Sequence, residues 1–348
     1  MSKPIQKILF GSPGTGKSHR VDSHIVPNDL EITEKNNVIK TVFHPEYTYG
    51  DFVGKLVPYT KASKVEYNFY AGHFLIALAQ AYKNIINSGS SGKIDNTVLV
   101  IDEINRGNSA AIFGVVFQLL DRNKDGWSSY YINITELELM TILKLIGVEF
   151  KELAKNEYEY KFPGEADWRK NLTTFQNRVD CLRMDIDNSR IYLPPNLSFL
   201  ATMNTSDNSI YFMDNAFKRR WDWEFVNIED DNQRSVVENR KVQLYDTEIC
   251  AWNDFVDKLN SFIRSHYKTI RKIEDKQIGY FFINEEIVTH EHIKNKLMFF
   301  IWDSVFSTSR KPLTDLLEMN ERDLVTFGQF TQKDVVEKFV QKIIHFNV

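Results

Sequence analysis

Short apolar runs alternate along the first two thirds of the chain with stretches in which apolar residues recur every three or four positions. Strands buried on both faces and separated by amphipathic helices write that pattern, so an α/β fold on a parallel sheet is expected. Five strands are predicted: Lys7–Phe10, Val38–Phe43, Val98–Ile101, Leu197–Thr202 and Trp221–Val226. Helices are expected from Ser18 to about Ile25, from near Gly72 through HFLIALAQAYKNII, over Ala110–Leu120 and over Glu136–Leu145. Two extended runs flank Lys61-Ala62-Ser63-Lys64 and predict a hairpin inserted at about 47–70. Its aromatic residues either pack the core and hairpin or serve a site.

The region of about 121–190 has mixed charges, a Pro163-Gly164 pair and no legible chemistry. Insertions of that length are more often functional elaborations than plain loops. From Ile228 onward the pattern turns helical, over Val242–Tyr267, Glu291–Ser307 and Gln332–His345, with Ile278–Phe282 as a turn or short strand. The expected organisation is an α/β domain over 1–228 and a helical lid domain over 229–348.

Composition narrows the class without naming it. With 348 residues, 43% hydrophobic and 26% charged, the chain is long enough for a large core and unlike disordered or collagen-like sequences. A formal net charge of -4 offers no global attraction for nucleic acid, so any DNA contact must be local. Cys181 and Cys250 alone make neither a disulfide framework nor a zinc-ligand spacing. The N-terminus lacks the apolar core of a signal peptide, and no apolar run approaches the roughly 18 residues of a membrane span. A cytoplasmic protein without a membrane segment is expected.

The stretch GSPGTGKS, Gly11–Ser18, lies between the first strand and the first helix. There glycines permit backbone turns that aim several N–H groups at one anion, and a helix N-terminus adds its positive end. In such a phosphate-binding loop Lys17 reaches the β and γ phosphates and Ser18 offers a hydroxyl to Mg²⁺. The strand Val98–Ile101 then delivers Asp102 and Glu103 to the carboxyl edge of the sheet. Asp102 suits Mg²⁺ or its water shell, and Glu103 is a candidate general base. Asn204, at the tip of a neighbouring strand, can hydrogen-bond a γ-phosphate or an attacking water. Asp214 and Asn215 cap a short helix ending in Lys218-Arg219-Arg220, which is either a solvated helix terminus or an arginine finger. Arg106 is open in the same way.

As an ordered set, these elements resemble the AAA+ ATPase architecture. FHPEYTYGDFVGKLVP, VLVIDEINRGN, ATMNTSDNSI and MDNAFKRRW are similar to segments of the McrB family, the motor subunits of McrBC-type modification-dependent restriction systems. The resemblance implies that Gly11, Ser12, Pro13, Gly14, Thr15, Gly16, Lys17, Ser18 and His19 bind nucleotide. It implies that Ser18 and Asp102 serve Mg²⁺, that Glu103 drives hydrolysis, and that Asn204 with Asp207 orients the water. Arg219 and Arg220 would reach a neighbouring subunit's site in a homo-oligomeric ring, a hexamer. An McrC-like nuclease subunit would be the partner, with DNA engaged through the complex and GTP favoured over ATP. Two departures stand out: Asn208 occupies the place of the family's usual arginine, and the few residues before the loop leave no room for an N-terminal DNA-recognition domain. Two other readings compete with the restriction motor: a MoxR-like remodelling ATPase and a nucleotide-sensing scaffold with little turnover.

Overall fold

The computed structural model describes residues 3–61, 64–88, 92–154, 157–170, 175–176, 179–205, 211–228, 231–245 and 247–347. A parallel five-stranded sheet organises the chain, built from β1 (Gln6–Gly11), β2 (Val38–Val42), β3 (Thr97–Asp102), β4 (Leu197–Asn204) and β5 (Asp222–Phe225). Their order is β5-β1-β4-β3-β2. Thr97 pairs with Leu197 and Val98 with Val38, which sets β3 between β4 and β2. The burial pattern explains the sequence pattern. β3 is buried from Thr97 to Ile101, and Asp102 is its first partly exposed residue, whereas β2 at the sheet edge alternates buried Ile39 and Thr41 with exposed Lys40 and Val42. A strand covered on both faces loses the alternation that an edge strand keeps.

The chain forms two compact units, one of Met1–Leu9, Ser18–Met203 and Ser209–Glu224, the other of Phe10–Lys17, Asn204–Asn208 and Phe225–Val348. The first holds an aromatic core in which the Phe113 ring lies 4.6 Å from Phe52, 5.2 Å from Phe217 and 6.1 Å from Trp221. Phe52 and Tyr47 are buried, so this part of the aromatic stretch is core. The hairpin that follows, Gly54–Lys61 paired antiparallel with Lys64–Ala71, instead exposes Leu56, Val65, Tyr67 and Tyr70. Within the insertion, the helix Glu136–Ile146 starts from a Thr135–Glu138 capping box and precedes an antiparallel pair, Glu149–Ala154 with Glu157–Lys161. Reciprocal capping at that Thr-x-x-Glu supplies its start signal.

Two expectations need correction. Ala110–Leu120 is not one helix: Ser109–Phe113 gives way to tighter turns over Gly114–Leu120, because Gly114 has φ +48°. In the C-terminal unit the helix expected from Val242 begins only at Trp252 and ends at Ser265. Lys241–Leu244 and Thr247–Ala251 form a hairpin, and Ile287–Thr289 adds a third strand. Buried Val242 and Leu244 carry the two-residue period of a strand. A helical run from His290 to Val305 and the helix Lys333–Ile344 complete this unit around Trp252, Phe255, Phe262 and Phe339. Among the described residues, no helix is long and apolar enough to cross a membrane.

Arg122 ties the insertion to the sheet. Its guanidinium donates to the carbonyls of Gly126 (3.1 Å), Pro194 (3.0 Å) and Leu197 (2.8 Å), and burial pulls its pKa down to about 9. Arg122→Met removes those three hydrogen bonds and the buried charge that makes them, and should cost about 3 kcal/mol, read by urea denaturation. A loss under about 0.5 kcal/mol would contradict this role.

Candidate functional site

The loop after β1 has its shape fixed by glycine. Gly14 and Gly16 hold φ of +78° and +72°, a region that costs other L-residues about 1 to 2 kcal/mol. A methyl on Gly14 would lie 2.5 Å from the Phe282 nitrogen, and one on Gly16 would lie 3.1 Å from the Phe281 ring. The Thr15 hydroxyl donates to the Ser12 carbonyl at 3.0 Å. Lys17 is only 7% exposed, and its ammonium donates to the carbonyls of Gly11 (3.0 Å) and Ser12 (2.8 Å). These bonds hold the ammonium inside the loop, where a phosphate-binding loop places its lysine.

In the other unit the Ser18 hydroxyl lies 3.3 Å from Asp102 Oδ1, so the two residues expected at a metal are brought together. Thr202, on β4, donates to the same carboxylate oxygen at 2.8 Å and accepts the Glu103 N–H at 3.4 Å. Thr202 was not among the expected residues. Its signal is a hydroxyl ending an apolar strand beside one that ends in acids. Glu103 takes φ +55°, and the Arg106 N–H returns to its carbonyl at 2.9 Å, so the chain turns sharply where β3 ends. Strained backbone of this kind gathers at functional sites.

The remaining expected residues are placed as follows. Asn204 is the last residue of β4 and is half-buried; Asp207, with Asn208, lies outside the described residues. His19 is exposed, its Nδ1 3.1 Å from the Ser23 hydroxyl. Asp214 accepts the Phe217 N–H at 2.7 Å and caps Asn215–Lys218, the expected helix. Beyond it the two arginines part. Arg219 is exposed, whereas Arg220 lies over the Phe117 ring at 3.9 Å, pairs with Asp121 at 2.7 Å and donates to the Ala216 carbonyl.

Ser18 and Asp102 supply two hard oxygen ligands, and among the described residues no group of three or more His, Cys, Asp or Glu could hold a metal. This donor set fits Mg²⁺, which keeps several waters and is commonly bound through one or two protein oxygens plus substrate phosphates.

No family model matches the chain. It is similar to the type II restriction enzyme BsuMI component YdiS of Bacillus subtilis (strain 168), with 29% identity over 95% of this chain and 86% of that protein. The chain is a homologue of restriction-system components. Its similarity to the type IV methyl-directed restriction enzyme EcoKMcrB subunit of Escherichia coli (strain K12) is 25% identity over 64% of this chain and 35% of that subunit, about a third of the subunit's length. A solved chain from Cytophaga hutchinsonii matches with TM-score 0.27 and 12% identity over 75% of this chain and 58% of its own, too slight a likeness to bear on the fold. The motif resemblance to McrB is therefore met at the level of homology.

Gly14→Ala should cost about 3 kcal/mol, since strain adds to collision with backbone, and Gly16→Ala about 1 to 2 kcal/mol, since an aromatic ring can yield. Equal losses in chemical denaturation would contradict the assigned contacts.

Proposed function

We propose that the chain is a Mg²⁺-dependent nucleoside triphosphatase, the ring-forming motor subunit of a restriction system that drives DNA cleavage by a partner nuclease. The observation that carries this reading is the glycine-shaped loop with its buried Lys17, followed directly by a Ser18 hydroxyl set against Asp102. Homology to two restriction-system components supports the setting.

Each residue then has a task. The amides of Gly14 to Ser18 bind phosphate oxygens, and Lys17 exchanges its two carbonyls for the β and γ phosphates. Ser18 and Asp102 hold Mg²⁺, which when bound neutralises charge on those phosphates. Thr202 orients, through its hydrogen bond, the Asp102 carboxylate that would hold the cation or its water shell. Glu103 accepts the proton of the attacking water, and Asn204 with Asp207 orients that water. Exposed Arg219 is the residue offered to a neighbouring protomer, while Arg220 is held by Asp121 and Phe117 within its own unit. The assembly is a hexamer engaging an McrC-like nuclease, with DNA bound through the complex. GTP is favoured over ATP as substrate.

Turnover should rise with protein concentration as protomers assemble. Lys17→Ala should abolish nucleotide binding. Glu103→Gln should bind nucleotide yet lose about 10²- to 10⁴-fold in turnover, the usual worth of a general base. Mixing Arg219→Ala with Glu103→Gln protomers should restore part of the activity, because mixed interfaces contain intact sites. Full activity of Glu103→Gln overturns the hydrolytic assignment, and concentration-independent turnover indifferent to Arg219→Ala overturns the shared site.

A further inference from the structure

The glycine loop belongs to the C-terminal unit, and there the segment Glu274–Phe282 is hydrogen-bonded to it directly. The Ser12 hydroxyl donates to the Glu274 carbonyl at 2.5 Å, the Gly279 N–H to the Pro13 carbonyl at 2.9 Å, and the Phe281 N–H to the Gly14 carbonyl at 2.9 Å. Contact is backbone against backbone: a methyl on Gly279 would collide with the Gly14 carbonyl. Gly279 thus has a steric reason to be glycine although its own φ is unremarkable.

The segment is itself anchored to the helix Trp252–Ser265. Asn260 closes a pair of bonds on the Ile278 backbone, accepting its N–H at 3.0 Å and donating to its carbonyl at 2.8 Å. Trp252 Nε1 donates to the Tyr280 carbonyl at 2.8 Å, and the Tyr280 hydroxyl donates to Asp257 at 2.8 Å. Three residues of one helix therefore fix the segment that touches residues 12–14 of the loop.

We propose that Glu274–Phe282 is a brace that holds the loop in its phosphate-accepting shape, with Gly279 as a positioning residue. With the carbonyls of Pro13 and Gly14 bonded to the brace, the peptide planes that carry the following amides are fixed, as an anion-binding loop requires. Without the brace, a loop with three positive-φ glycines has many other conformations to visit, and ordering it would be charged against nucleotide binding. This inference rests on the reading of the loop as a nucleotide site.

The test compares wild type, Gly279→Ala, Ser12→Ala and Gly328→Ala. The last is the control: its added methyl meets nothing nearer than the Thr326 hydroxyl at 3.8 Å. Amide hydrogen exchange of residues 14–17 is measured without nucleotide, and affinity for a fluorescent GTP analogue and steady-state kinetics are measured in parallel. Gly279→Ala should accelerate loop exchange and weaken nucleotide binding by on the order of tenfold, raising KM while kcat stays within about twofold. Ser12→Ala, which removes one bond without a clash, should move both readouts in the same direction by less, and decides the matter if Gly279→Ala does not fold. Unchanged loop exchange and affinity in a folded Gly279→Ala, or in Ser12→Ala where that variant decides, overturn the brace. Faster loop exchange in a protein whose wild type binds no triphosphate upholds the brace and overturns the nucleotide reading.

Discussion

A lysine ammonium that is almost entirely out of water must be compensated, and in this chain the carbonyls of Gly11 and Ser12 take part in that compensation. Those carbonyls point at Lys17 only because the loop turns at Gly14 and Gly16 through angles that disfavour other residues. A buried ammonium at the turn of a glycine-shaped loop is the arrangement that the proposed phosphate site requires. Much of what surrounds it can be understood as support for that condition: a strand leads into it, Ser18 leads out of it, and a segment of the C-terminal unit grips its back.

The sheet was legible because central strands buried on both faces leave uninterrupted apolar runs, and β3 and β4 do so most clearly. Asp102 is singled out in the sequence by its pairing with the upstream Gly11–Ser18 stretch, and the fold sets it 3.3 Å from the Ser18 hydroxyl. Asp214 was legible as a cap because an acid preceding a short amphipathic turn can satisfy a free N–H, which the Phe217 contact confirms. The hairpin at 241–251 was obscured because its alternating residues run directly into the periodic pattern of the helix Trp252–Ser265. Gly114 broke a helix that its apolar neighbours predicted, since periodicity does not register a single positive φ. Thr202 and Gly279 share one cause of invisibility: each acts on a residue far away in the chain, Asp102 or Gly14, and only the fold makes those pairs neighbours.

The arginines show the same limit from the other side. Lys218-Arg219-Arg220 reads as one cationic cluster in sequence, yet a short helix turns successive side chains to different faces. Arg220 is drawn onto Phe117 and Asp121, while Arg219 stays in solvent. Chemistry that needs a guanidinium outside its own protomer is therefore better served by Arg219. The insertion is anchored by buried Arg122, which bonds the carbonyls of Gly126, Pro194 and Leu197.

The most direct test of the central claim is pulsed EPR with Mn²⁺ in place of Mg²⁺, in the presence and absence of a non-hydrolysable nucleoside triphosphate. The account predicts that Mn²⁺ binds tightly only with the triphosphate, shows coupling to phosphorus, and is lost in both Ser18→Ala and Asp102→Asn. Binding that ignores the triphosphate, or that survives both substitutions unchanged, would contradict it.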